Sequence, residues 1–166
     1  MAKRMLLVLT PDTAAHWASA AGDAAWLTRD VGGMLRMMYT RPLPPPREDH
    51  SGRVVADTDR EMSRIAAFAE EQMDAIAAGL DGVDVERVVR FGRLPREVTT
   101  EVGAFDADVV ALATPPQATL RHELRAWYLE RVALRSRTPV ILMPPALEGA
   151  REGLRDALAL ASLRQF

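Results

Sequence analysis

The chain is 166 residues long, 48% hydrophobic and 27% charged, with a formal net charge of −2, the make-up of one globular domain with a real core. That balance supplies no overall attraction to nucleic acid or to an anionic membrane, so both are disfavoured as partners. There is no cysteine, which excludes disulfides, thiolate zinc sites and cysteine nucleophiles, and the lone lysine, Lys3, leaves none for a phosphate-binding Gly-Lys-Ser/Thr loop or an internal Schiff base.

Lys3-Arg4 and the apolar run Met5–Leu9 imitate the start of a secretory signal, but the run is shorter than the roughly 7–15 residues such a segment needs, and Pro11-Asp12 follow at once. A cytoplasmic protein is expected, and no stretch approaches the ~18 apolar residues of a membrane span. Met5–Leu9 instead suits a strand buried on both faces. Residues 13–31 read as an alanine-rich helix with Ala14, Trp17, Ala18, Ala21, Ala25 and Thr28 at helical spacing, Asp12 or Thr13 as N-cap and Gly32-Gly33 as stop. Met34–Thr40 is the second strand. The proline-rich, charged stretch 41–53 reads as a surface loop, and Asp57-Thr58-Asp59 starts a long helix with the stripe Met62, Ile65, Ala66, Ala69, Met73, Ile76 and Ala77, ending at Gly79.

Val83–Phe91 is the third strand, residues 95–105 a helix, Asp108–Ala113 the fourth strand, 118–136 a helix and Pro139–Met143 the fifth strand. Strand and helix alternating in this way imply right-handed crossovers and a doubly wound, Rossmann-like α/β domain over residues 1–145. Beyond Pro144-Pro145, residues 146–166 form an appended amphipathic helix with Leu147, Ala150, Leu154, Ala157 and Ala161 in its apolar stripe. Such a helix packs on its own domain or dimer, or serves a protein partner or a membrane surface.

Several segments are similar to the universal stress protein family. DADVVALAT (106–114) resembles its Asp-Leu-Ile-Val-Met-Gly strand, and YLERVALRSRTPVILM (128–143) its last helix and strand. FGRLPREV (91–98) resembles its Gly-x-Pro turn, and MMYTRPLPPP (37–46) stands where the family has a Leu-His-Val strand end. The resemblance covers residues 3–144 and implies a five-stranded parallel sheet in the order 3-2-1-4-5. It also implies a stress-associated regulatory binding module rather than an enzyme.

ATP-binding members carry Gly-x2-Gly-x9-Gly-Ser/Thr after the fourth strand. Those places here fall on Ala113, Pro116, Ala126 and Trp127, all different. Pro115 and Pro116 lack N–H donors, and Trp127 sets a bulky ring where a small hydroxyl would sit. Two lost charge-assisted hydrogen bonds weaken phosphate binding by roughly 10²–10⁴-fold, so no ATP cofactor is expected. The first-strand acid that members place near the adenine corresponds to Asp12, in a strand end one residue longer.

Ligands of doubly wound sheets bind beyond the strand C-termini where the order reverses, here between the first and fourth strands. Candidate cleft residues are Asp12, Thr13, Thr114 and Arg121; the plainer reading makes Asp12 or Thr13 a helix cap. A nucleotide or other phosphorylated-ligand sensor or enzyme using this cleft is the alternative function. His16, His50 and His122 have no partner at metal-ligand spacing, no Gly-x-Ser-x-Gly elbow exists, and no metal is expected. Arg121/Arg125 and Arg131/Arg135 lie at i, i+4 but are interrupted by Glu123 and Glu130, the pattern of a solvated face. A response-regulator phosphoacceptor site is absent, since the third strand ends Val89-Arg90-Phe91 and the fifth Met143-Pro144. Trp17, Trp26 and Trp127 read as packing residues, as do Met34, Met37 and Met38.

In the order 3-2-1-4-5 the last strand, Val140-Ile141-Leu142-Met143, is an apolar edge that invites pairing. The resemblance implies a homodimer through this strand; the competing arrangement folds helix 146–164 back over the edge.

Overall fold

The computed structural model describes residues 3–114 and 138–143. The expected helices 118–136 and 146–164, together with Pro115, Pro116, Arg121, His122, Ala126 and Trp127, lie outside the described residues.

Strand β1 (Arg4–Leu9) is buried from Met5 onward, because its apolar run has one set of side chains for each face of the sheet. Each such side chain contributes roughly 1.5–3 kcal/mol. It pairs in parallel with β2 (Met34–Arg41) on one side and β6 (Val109–Ala113) on the other. β2 pairs with β5 (Asp84–Phe91), and β6 with β7 (Val140–Met143), both in parallel. The order β5-β2-β1-β6-β7 is the expected 3-2-1-4-5 for the five strands of the main sheet.

Met5, Leu7 and Leu9 pack with α1 (Trp17–Arg29) and α2 (Thr58–Ala77), while Leu6 and Val8 pack with α3 (Leu94–Phe105). Helix α2 is capped by Asp57, whose Oδ1 accepts from the Arg60 amide at 2.8 Å. Ile65, Ala69 and Met73 are its buried apolar residues, the inner part of the expected stripe.

Two local features depart from the sequence reading. The first helix opens as a 3-10 segment, Pro11–His16, before turning α-helical at Trp17. The change of pitch rotates the inward face, so Ala14 and Ala18 are exposed while Ala20, Ala21, Ala24 and Ala25 enter the core. Stretch 41–53 is not a plain loop either. β2 continues to Arg41, and β3 (Arg47–Glu48) pairs antiparallel with β4 (Val54–Ala56). The hairpin is closed by Asp49, whose Oδ1 accepts from the Ser51 amide and hydroxyl and from the Arg53 amide, with Gly52 at φ +80°, a conformation glycine adopts without steric cost.

Met37 and Met38 are fully buried, as expected, and Met34 is half-buried. No helix among the described residues is long and apolar enough to cross a membrane.

Candidate functional site

The reversal point lies above β1 and β6, where Thr10 and Thr114 follow the two strands. Thr10 is buried, and its backbone and hydroxyl are taken up locally. Its carbonyl accepts from the Thr13 amide at 3.0 Å, the Thr13 hydroxyl at 3.0 Å and Trp17 Nε1 at 3.1 Å. Its amide donates to Thr13 Oγ1 at 3.3 Å, an oxygen that also accepts from Trp17 Nε1 at 3.3 Å. Trp17 in turn meets Tyr39 of β2 edge-on, with ring centroids 5.3 Å apart and planes at 65°. Trp17 is therefore a packing residue, with its indole N–H tied to the strand end.

Of the expected cleft residues, Thr13 is buried inside this knot and Asp12 is exposed in the same 3-10 segment. The residue that starts the segment is Thr10, not Asp12 or Thr13. Thr114 stands half-buried at the end of β6, with its amide (2.9 Å) and hydroxyl (3.2 Å) both donating to the Met143 carbonyl. Arg121 is outside the described residues. The structure thus brings Asp12 and Thr13 into one segment, with Thr114 at the end of the adjacent strand.

At the β7 edge the four expected interface residues divide. Ile141 and Met143 are core, Val140 is half-buried and Leu142 is 44% exposed. Pro139 O accepts from Val110 N, and Met143 O from Thr114 N. Alternation along a strand then turns the backbone groups of Val140 and Leu142 away from β6.

Two polar clusters escaped the sequence reading. On the α3 face, Glu101 is 1% exposed and accepts from Arg90 Nε (2.9 Å) and Nη2 (2.7 Å) and from Arg36. Arg36 also donates to Glu86 from Nε at 2.7 Å and lies 4.2 Å from the Phe105 ring centre. Burial works against the Arg36 guanidinium, yet its bonds to Glu86 and Glu101 hold its pKa above the ordinary value. These side chains line a groove of about 480 Å³ with Val88 and Ala104. The pairing of Arg36 with Glu86 follows from the β2–β5 register, which neither strand reveals alone; a charged residue inside the apolar MLRMMYT run was the available signal. The second cluster, at the end of β2, holds Arg41, Glu61 and Arg64; Arg41 Nε is buried in it without a partner among the described residues, as is Thr40 Oγ1 on the opposite face of the strand.

His16 is half-buried at the start of α1 and His50 is exposed in the hairpin turn. Among the described residues no group of three or more His, Cys, Asp or Glu could hold a metal ion.

The universal stress protein family model matches residues 1–144. The chain belongs to the universal stress protein family. Solved structures agree on the fold. A universal stress protein in complex with cAMP superposes with a TM-score of 0.55 at 15% identity, covering 88% of this chain and 100% of that one. A protein of the family from Burkholderia pseudomallei has a TM-score of 0.50 at 22% identity, covering 87% of this chain and 96% of that one. No curated protein matches the chain. For this universal stress protein, the family defines the scaffold and a stress-response setting, while the polar groups at the strand ends decide what the scaffold can hold.

Proposed function

We propose that this universal stress protein is a cytoplasmic, non-enzymatic regulatory binding module, dimeric through β7, that lacks tight affinity for ATP. The observation that carries this reading is the local pairing at the reversal point. The Thr10 carbonyl and amide, the Thr13 hydroxyl and the Trp17 indole N–H bond to one another, and Thr114 bonds to Met143. A nucleotide would have to compete with those bonds. The sequence after β6 supports the same reading, since Pro115 and Pro116 have no N–H to offer a phosphate.

Calorimetry of the full-length protein with magnesium ATP tests it. Dissociation in the millimolar range or weaker is expected, and a micromolar dissociation constant contradicts the proposal. The second reading, a different phosphorylated ligand held by Asp12, Thr114 and Arg121, is favoured by the cAMP-bound relative. A cyclic monophosphate carries a single negative charge and needs fewer donors than a triphosphate. Micromolar binding of cAMP in the same experiment selects that reading.

The dimer rests on the outward backbone groups of Val140 and Leu142 beside the exposed Leu142 side chain, an edge suited to an isologous strand pair. Ile141 is a poor probe of it, because a charge there would disrupt the core. Leu142→Pro removes one outward N–H and leaves the β6 ladder intact. Light scattering is expected to report two chains for the parent and one for Leu142→Pro, and a monomeric parent overturns the dimer.

A further inference from the structure

β2 ends in Arg41, two residues beyond Tyr39 and so on the sheet face covered by α1 and α2. Its Nε–H is shut away from solvent with no acceptor among the described residues, and buried guanidinium donors are ordinarily paired. Glu61, from the first turns of α2, occupies the same neighbourhood. Its Oε1 accepts from Arg64 Nε at 3.1 Å and Nη2 at 2.6 Å. The Arg64 bond, together with the charges of Arg64, Arg47 and Arg41, holds the Glu61 carboxyl below its ordinary range. Arg47 is brought in by the β3–β4 hairpin, which sets it opposite Ala56, just before the α2 cap.

The charges of three guanidiniums act on one carboxylate, and Arg64 already takes that carboxylate's Oε1. That leaves the charge of Arg47 and, on Arg41, which also bonds the Tyr39 phenol, one buried donor. Of the acids in these segments, Asp49 closes the hairpin turn and Asp57 caps α2. Burial pushes the Tyr39 phenol up, against the lowering by the Arg41 charge and by the hydrogen bond its oxygen accepts from the Arg41 guanidinium. Planar guanidinium forks match tetrahedral oxyanions, and the positive end of α2 favours the same charge.

We propose that Arg41 and Arg47, with Arg64 oriented by Glu61, form a binding site for a phosphate-type oxyanion, either free phosphate or the phosphomonoester end of a small metabolite. The site belongs to the end of β2 and uses none of the residues of the degenerate turn after β6. It is independent of whether ATP binds.

The test is an NMR titration of the ¹⁵N-labelled full-length protein with inorganic phosphate and with phenyl phosphate at constant ionic strength, chloride serving as the control anion. A saturable shift of the Arg41 Nε–H signal is expected with a phosphate and not with chloride. Tighter binding of phenyl phosphate assigns the site to a monoester, and tighter binding of inorganic phosphate assigns it to the free anion. Arg41→Lys, which keeps the charge and deletes the fork, and Arg47→Gln on the exposed hairpin should each weaken binding by about tenfold. Glu61→Gln, whose amide oxygen can still accept from Arg64 while the negative charge is gone, should strengthen it. No saturable response to either phosphate, or unchanged affinity in the Arg47→Gln variant, overturns the proposal.

Discussion

β1 and β2 lie side by side, β1 ending opposite Tyr39 and β2 running on to Arg41, yet their ends keep opposite polar accounts. At the end of β1 the Thr10 carbonyl and amide, the Thr13 hydroxyl and Trp17 Nε1 are paired with one another. At the end of β2 the Thr40 hydroxyl and Arg41 Nε are buried without a partner among the described residues. The contrast teaches that one sheet can pair the polar groups at one strand end and leave those of its neighbour unpaired. A paired group destabilises when truncated, whereas an orphaned group costs free energy where it stands.

The largest expected effect comes from the most heavily paired group. Glu101→Ala removes the buried carboxylate from Arg90 and from half of the Arg36 pairing, both arginines being partly exposed, so urea unfolding should report a loss of about 3 kcal/mol, the low end for a buried pair. Thr13→Val breaks the knot at β1 and should cost about 2 kcal/mol by the same measurement. The like substitution one strand over, Thr40→Val, removes an unsatisfied buried hydroxyl and should stabilise by about 1 kcal/mol. Destabilisation by Thr40→Val would show that the hydroxyl has a partner, breaking the contrast.

The smallest effect is in the pH dependence of the β2 end. The Glu61 carboxyl is held below its ordinary value of 4.5, first by its hydrogen bond to Arg64. A depressed folded pKa means stabilisation that is present above about pH 4.5 and lost as the pH falls through the folded value. Glu61→Gln should therefore flatten part of the acid limb of a stability–pH profile. The remainder belongs in part to Asp49, whose carboxyl is lowered chiefly by the Ser51 hydroxyl.

The strands of the main sheet were legible because a strand buried on both faces writes itself as an apolar run, as in Met5–Leu9 and Val109–Ala113. Their order came from the family resemblance and not from periodicity. The 3-10 opening was hidden because Thr10 and Thr13 act on each other three residues apart, so the expected cap at Asp12 or Thr13 fell inside the segment. The β3–β4 hairpin was hidden by Pro42–Pro46, which reads as punctuation although pairing resumes at Arg47. The clusters around Glu101 and Glu61 join residues far apart in the chain, such as Arg36 and Glu86. Only the register of the folded sheet puts them together.

Native mass spectrometry of the freshly purified full-length protein tests the central claim most directly, because one spectrum reports subunit number and any retained small molecule. The paired strand end of β1, the outward backbone groups of β7 and the Pro115-Pro116 sequence lead us to expect a two-chain assembly carrying no adenine nucleotide. A stoichiometric mass increment of ATP or ADP on each chain would contradict the account.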